Sequence, residues 1–511
     1  MKFVLKAVLS VTFFTAIDRI LGFVFKIYLS RELGAVGMGV YQVALSVFFL
    51  LLTVTTSGLP LIVSKKTAQS GQNGKTMHGT VSAALLVGLA SAVLVCLVVV
   101  LLQKPLGKMM ASPESMTLLL FMLPGVLFSG VYAALRGNLW GKQKYTTMSI
   151  IEVVEQTLRI LLTVLLFMLG FNKLKMTAVS LSASCAVTAL LCAVCYFSGK
   201  GKLASPKGEI VPLLRSSVPI TCVRAASSAV SSVIAIVVPF ILMKAGNTRE
   251  QAMYLFGASV GMALPLLYLP VTVVGSLAYV MIPTLSKAYG SGNLSSARRQ
   301  IETAVTLSIV VAALFVPAFA ALGLPVGKLV YDNVDAGRFL SHAAWLLIPV
   351  SLENIVSSML NSLDLEKRGF VNYMIGSAVI FAVLGMFCRN FSVDVLIYAL
   401  GAGWTISSIL DLLAIKKRVG IRFTFIMPLV LSCLLVLPAT LLVKTLFSLL
   451  GSLPHLLAIA ISGGIGCVFM LVLSVVFGIL DVSLFFKKKT QKPNAKKKAK
   501  KPCKSIAKTT L

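Results

Sequence analysis

Three charged side chains lie inside the first hydrophobic stretch of the sequence, Val4 to Leu29, which is long enough to span a bilayer. They are Asp18, Arg19 and Lys26. A charge at the centre of a membrane helix costs about 2.5–3.5 kcal/mol on insertion scales, so a mere anchor would favour apolar residues there. The charges therefore indicate a helix that faces a polar cavity. The alternative is that Asp18 and Arg19 pair locally while Lys26 extends towards the membrane surface.

Later hydrophobic stretches add further polar groups. Glu155 and Arg159 are four residues apart in the stretch 146–170, so the two side chains can pair on one helix face. Such a pair either fixes the helix register or takes part in transport. The stretch 339–363 carries a largely one-sided polar stripe. The residues that we expect to line a cavity or to couple an ion are Asp18, Glu155, Arg159, Glu353, Asn354 and Asn361.

The cationic residues indicate the chemistry of such a cavity. Arg19, Lys26 and Arg224 lie in the first and the seventh hydrophobic stretches, which would face each other if the chain consists of two related halves. Guanidinium groups bind phosphates through paired donors, and a low dielectric strengthens the attraction. We therefore expect these three residues to bind a diphosphate. This chemistry needs no cofactor and no catalytic residue.

A metal site is not expected, although Cys192 and Cys195 form a C-x-x-C pattern. Four ligands are usual for a structural zinc ion, and no His or further Cys stands nearby in the sequence. We interpret the two cysteines as small packing residues of an apolar helix.

The elements that position these residues follow from composition. The chain has 511 residues, of which 58% are hydrophobic and 12% are charged, whereas soluble domains carry about 25% charged residues. A net charge of +31 would indicate nucleic acid binding in a soluble protein, but here we expect none. The sequence predicts a polytopic protein of the cell membrane.

Hydropathy predicts an all-α fold of about fourteen transmembrane helices, because each span has about 20 residues or more and barrel strands would be half as long. The predicted spans are 4–29, 36–62, 79–102, 116–135, 146–170, 176–197, 211–243, 254–284, 301–325, 339–363, 370–388, 394–415, 425–449 and 454–480.

Basic residues predict the orientation. We call the side of the N-terminus side A and the opposite side side B. The loops on side A carry about twice as many Lys and Arg residues as those on side B, even without the tail, so we expect both termini in the cytoplasm. The lysine-rich tail, 483–511, is predicted to be disordered, and it either binds anionic lipid headgroups or only determines topology.

A short internal repeat predicts the domain organisation. The sequence after Pro60 (SKK, then SGQN) is similar to the sequence after Pro283 (SKAY, then SGN), with six spans between the copies. An even number of spans gives both halves the same orientation, so their symmetry axis would run along the membrane normal. We predict two pseudo-symmetric six-helix lobes, 1–200 and 201–420, two further helices in 421–482, and the tail.

Four motifs resemble one family. DRILGF (18–23), LGAVGMGVY (33–41), RGNLWG (136–141) and EQTLRI (155–160) are similar in order and spacing to segments of the polysaccharide-exporter and lipid II flippase branch of the MOP (multidrug/oligosaccharidyl-lipid/polysaccharide) superfamily. The resemblance implies two six-helix lobes around a central cavity, two extra helices that hold a lipid tail, and movement of undecaprenyl-diphosphate-linked sugars between leaflets. It also implies a substrate-binding role for Arg19. The family often has a second basic residue six positions later, where this chain has Phe25 beside Lys26.

Three function classes remain open from the sequence. The first is a flippase for a lipid-linked cell-wall precursor such as lipid II, with a lipid-linked saccharide and membrane lipids as partners, and with cell-wall synthesis proteins as further possible partners. The second is a cation-coupled multidrug exporter of the same superfamily, which would use Asp18 or Glu353 as its ion site. The third is a membrane enzyme acting on lipid-linked sugars, which is disfavoured because the loops on side B are too short for a catalytic domain.

Overall fold

A computed structural model describes residues 2–69, 74–388 and 391–480, and the regular structure in these residues is helical throughout. A π-helical segment at Gly257–Ala263 precedes α10, and a 3₁₀ turn at Ala344–Leu346 precedes α14. The α-helices are α1 (Lys2–Thr56), α2 (Leu59–Gln69), α3 (Gly74–Leu101), α4 (Gln103–Met109), α5 (Pro113–Gly141), α6 (Tyr145–Met168), α7 (Lys173–Ser198), α8 (Ile210–Lys244), α9 (Arg249–Phe256), α10 (Leu264–Leu267), α11 (Leu269–Gly290), α12 (Leu294–Tyr331), α13 (Val334–Ala343), α14 (Leu347–Ser362), α15 (Glu366–Met386), α16 (Val393–Val419), α17 (Ile426–Leu449) and α18 (His455–Val476).

The described residues contain 12 helical segments that are long and apolar enough to cross a membrane. One of them, Phe13–Gln69, makes two crossings, because the chain reverses direction at Gly34. Helix α6 is not among the 12, since Glu152, Glu155 and Arg159 lower its apolarity, yet it packs along α1 and α7 as a further crossing. The predicted all-α polytopic fold of about fourteen transmembrane helices is therefore confirmed.

The reversal within α1 is sharper than the loop that hydropathy predicts between 29 and 36. Gly34 has φ 65° and ψ 179°, in the region where a side chain is disfavoured, and the residues on both sides of it remain helical. The two arms of α1 run antiparallel, since Gly22 of the first arm and Phe48 of the second arm line the same cavity. The two arms of α1 are therefore joined at Gly34 without a connecting loop.

The second crossing of each lobe is broken, which the predicted spans 36–62 and 254–284 do not anticipate. In the first lobe α1 ends at Thr56 and α2 starts at Leu59, and in the second lobe α10 ends at Leu267 and α11 starts at Leu269. Pro60 and Pro270 explain both breaks, because a proline cannot donate the backbone hydrogen bond to the carbonyl four residues before it. The corresponding breaks agree with a repeat of six helices plus six.

The two lobes approach each other closely on side B. A Cβ atom on Gly39 would collide with the backbone of Met253, and a Cβ atom on Gly257 would collide with the backbone of Ala35. At the same end, Arg31 donates hydrogen bonds to the carbonyl oxygens of Val330, at 2.8 Å, and Leu329, at the end of α12. Side B is therefore closed by backbone-to-backbone packing.

Helices α17 and α18 pack against each other and against α12, which makes them an addition to the second lobe. The boundaries 1–200, 201–420 and 421–482 stay predictions. The lysine-rich tail, 483–511, lies outside the described residues.

Candidate functional site

Two adjoining cavities lie within the helical bundle. The first, the N-lobe cavity, has a volume of about 430 Å³ and lies between α1, α5, α6 and α7. The second, the central cavity, has a volume of about 570 Å³ and lies between α1, α8, α10, α15 and α16, so that both lobes contribute to it. The polar and aromatic residues that line the central cavity include Lys26, Gln42, Ser46, Ser228, Ser231, Tyr268, Tyr373, Ser377, Trp404 and Ser407.

Lys26 lines both cavities, and Phe49 of the second arm of α1 does the same. In the described part of the chain, no carboxylate forms an ion pair with Lys26, and no other charged residue lines the central cavity. An ammonium group without a partner in a confined space attracts anions strongly, because few waters can screen it. Lys26 therefore makes the central cavity basic, and its binding of a diphosphate stays a prediction.

The predicted pair of Glu155 and Arg159 forms in the N-lobe cavity, where both side chains are half-buried. Arg159 donates a hydrogen bond to the Glu155 carboxylate and another, from Nε, to Ser184 at 3.1 Å. Asp18 lines the same cavity, but no carboxylate oxygen of Asp18 accepts a hydrogen bond from another described residue. Asp18, Glu155 and Arg159 thus line one cavity, and of these contacts the sequence predicts only the pairing of Glu155 with Arg159.

A second ion pair in the N-lobe cavity was missed. Arg136 donates a hydrogen bond of 2.7 Å to Glu152, and its guanidinium lies 4.4 Å from the ring centroid of Trp140. The predicted span 116–135 ends just before Arg136, so hydropathy places this residue in the loop that follows. The two partners are 16 positions apart and lie on different helices, so only the packing of α5 against α6 reveals the pair.

Arg19 and Arg224 line neither cavity directly, and both side chains are exposed. Arg19 and Lys26 are seven positions apart, which puts the two on the same face of α1, with Arg19 two turns nearer side A. Arg224 is likewise one turn from Ser228 on the face of α8 that lines the central cavity. Each arginine therefore stands on a cavity-lining helix face, towards side A.

The polar residues of α14 do not share one environment. Glu353 is half-buried and accepts hydrogen bonds from Ser407 at 3.1 Å and Ser408 at 3.3 Å, and Ser407 itself lines the central cavity. Asn354 and Asn361 are exposed outside both cavities. Glu353 therefore does not line the central cavity itself but contacts Ser407, which does.

A buried carboxylate near Ser407 and Ser408 is also not predicted from the sequence. Asp411 lies near the end of the predicted span 394–415, where a charged residue is ordinary, but its side chain is buried and accepts a hydrogen bond of 2.7 Å from Asn372. Its position near the end of a predicted span gave no signal of this contact. The pairing depends on how closely α15 packs against α16.

A fold of two helical lobes around a partly basic cavity is that of a multi-pass membrane transporter. Residues 4–289 match the family described as polysaccharide biosynthesis protein. The match covers more than half of the chain, and the protein belongs to this family.

Among curated proteins, the chain is 25% identical to stage V sporulation protein B of Bacillus subtilis (strain 168), over 71% of this chain and 73% of that protein. Among solved structures, the chain matches a lipid II flippase MurJ in an inward closed conformation, with a TM-score of 0.73, 15% identity and coverage of 91% and 98%. It also matches an inward-facing multidrug resistance MATE transporter of the MOP superfamily, with a TM-score of 0.68, 17% identity and coverage of 79% and 94%. The MOP superfamily resemblance is confirmed.

Proposed function

We propose that this protein is a flippase that moves a lipid-linked saccharide across the cytoplasmic membrane, and that its substrate is an undecaprenyl-diphosphate-linked sugar similar to lipid II. The observation that carries the proposal is the position of Lys26, which has no carboxylate partner among the described residues and stands where the two cavities meet. A diphosphate offers the negative charge that this ammonium group lacks. Arg19 and Arg224 stand on the cavity-lining faces of α1 and α8, nearer side A, and would contact the diphosphate first.

The rest of the central cavity suits a sugar. Its lining combines hydroxyl and amide groups, which can hydrogen-bond to sugar hydroxyls, with the rings of Tyr268, Tyr373 and Trp404, which can pack against the faces of a sugar. Its volume of about 570 Å³ lies in the range that is usual for small-molecule sites. The lipid tail would stay in the bilayer, next to the apolar surfaces of α17 and α18.

The conformation fits a transporter that opens to alternate sides. The lobes are closed on side B at Gly39 and Gly257, and we propose that side A, with both termini, faces the cytoplasm. The substrate would then enter from the inner leaflet. An inside-negative membrane potential drives anions outward with about 2.3 kcal/mol per charge per 100 mV, which favours export of a diphosphate.

One observation favours a second function, the cation-coupled multidrug exporter. Asp18 lines the N-lobe cavity without an ion-pair partner among the described residues, so it could bind a proton or a sodium ion. The described residues that line the central cavity include no Asp or Glu, however, and a cationic drug would meet Lys26 there. We therefore favour the anionic substrate.

The experiment is complementation. A bacterium depleted of its essential lipid II flippase receives the wild-type protein or the Arg19→Ala variant at equal membrane levels. Rescue by the wild type alone supports the proposal and assigns Arg19 to the anion site. Full rescue by Arg19→Ala contradicts that assignment, and absence of rescue by well-expressed wild type contradicts lipid II as the substrate.

A further inference from the structure

A groove on side B lies apart from the two cavities described above. It has a volume of about 580 Å³ and opens between α4 and α5 of the first lobe and the end of α8 in the second lobe. Lys104 and Lys108 of α4 and Arg249 at the start of α9 stand around it, and no Asp or Glu is among the described residues that line it. Its apolar wall consists of Met110, Met116, Leu120, Phe240 and Met243.

The three cations of the groove differ from other cations on side B. Lys173 pairs with Glu32 at 2.7 Å and Arg338 pairs with Asp335 at 3.1 Å. Within the described residues, Lys104, Lys108 and Arg249 form no ion pair. Three like charges around one groove repel each other, so the binding of an anion between them would be favourable.

The surroundings of α4 indicate that this anion comes from a lipid. Leu101, just before α4, and Met109, the last residue of α4, are 71% and 60% exposed, which is typical of a short segment that lies at a membrane surface. A free phosphate would satisfy the cations but leave the partly exposed side chains of Leu120 and Phe240 in this wall uncovered. A phospholipid supplies a phosphate for the cations and an acyl chain for this wall.

We propose that this groove binds an anionic phospholipid of the leaflet on side B, with its phosphate at Lys104, Lys108 and Arg249 and one acyl chain along Leu120 and Phe240. The lipid is a structural ligand and not the transported substrate, because the groove is separate from the central cavity. Since the cations come from both lobes, the bound lipid would connect the lobes on the side where they are closed.

The test uses the full-length protein in detergent and measures how phosphatidylglycerol raises its melting temperature. A basic residue near an anionic lipid surface contributes about 1 kcal/mol, so neutralising three should weaken binding about 100-fold. We expect the protection to be lost in K104Q/K108Q/R249Q. The matched control is K175Q/K328Q/K444Q, which removes the same charge from exposed positions on side B and should bind phosphatidylglycerol as the wild type does.

Each alternative has its own outcome. Equal protection by phosphatidylcholine, or by inorganic phosphate alone, would overturn the proposal of an anionic lipid. Equal loss in the control variant would show a general charge effect and would also overturn it. If the groove variant does not fold, a phosphatidylglycerol with a photoreactive acyl chain is crosslinked to the wild-type protein. Labelling at Phe240 or Met243 supports the site, and labelling confined to other helices overturns it.

Discussion

Arg224 donates a hydrogen bond of 3.1 Å from Nη1 to the carbonyl oxygen of Ser57, in the break between α1 and α2. One turn further along α8, the hydroxyl groups of Thr53 and Ser228 lie 2.9 Å apart. The arginine thus satisfies a carbonyl that the break leaves without a helical donor, and it holds the first lobe against the first helix of the second lobe. Its remaining donors stay available on the cavity-lining face of α8.

We expect Arg224→Gln to reduce transport at least tenfold, because a hydrogen bond to a charged group contributes about 1.5–3 kcal/mol, and to lower the melting temperature only by the loss of its hydrogen bond to Ser57. The measurement is the initial rate of lipid flipping in vesicles at equal protein content. Arg215→Gln is the matched control, since Arg215 is also exposed on α8 but nine residues away, on the opposite helix face. An equal loss of rate in both variants would contradict a specific role for Arg224.

Variants of Glu155 and Arg159 can show whether this ion pair only stabilises the fold or also takes part in transport. Glu155→Gln leaves Arg159 without its carboxylate in a half-buried position, and we expect a loss of about 3 kcal/mol in unfolding free energy. Replacing both residues by glutamine should recover most of this loss. If the double variant is stable and also transports normally, the pair only fixes the helices; if it is stable and inactive, the pair has a role in transport.

Gly257 should control the opening of side B. A valine there would place its side chain against the backbone of Ala35, so we expect Gly257→Val to favour the conformation in which side B is open. Spin labels at Lys175 and Lys328, one in each lobe on side B, should show a longer mean distance. Gly290→Val is the control, because a Cβ atom there meets nothing within 4 Å. An unchanged distance in Gly257→Val would contradict closure by glycine packing.

Acidic pH should weaken a contact on side A. The hydrogen bond from Lys66, at 2.6 Å, lowers the pKa of Glu209, with Thr80 as a second donor at 3.0 Å. A lowered pKa in the folded state stabilises the protein above the ordinary pKa of about 4.5, and this contribution disappears as pH falls through the lowered value.

We therefore expect Glu209→Gln to be less stable than the wild type at pH 7, by about 1 kcal/mol, and the difference to shrink below pH 4.5. Melting temperatures at a series of pH values check this. Glu250→Gln, at an exposed position, should show no such difference. A gap between Glu209→Gln and the wild type that stays constant with pH would rule out the titration of Glu209 as its cause.

The sequence predicts the crossings and the pairing of Glu155 with Arg159, because hydrophobic length and helical spacing are local properties. It places Lys26 in a cavity, since a charge in an apolar helix needs a polar environment. It does not predict the contact of Arg136 with Glu152 or that of Asn372 with Asp411, which depend on how separate helices pack. It also misses the breaks before Pro60 and Pro270, because hydropathy averages over them.

The central claim is that Lys26 binds the diphosphate of a lipid-linked sugar. The most direct test is the affinity of the purified protein for an undecaprenyl-diphosphate-linked sugar, compared between the wild type, Lys26→Met and Lys26→Arg. The account predicts that Lys26→Met binds at least tenfold more weakly, because one charge-assisted contact is lost, and that Lys26→Arg retains most of the affinity. Unchanged affinity in a folded Lys26→Met variant would contradict the account.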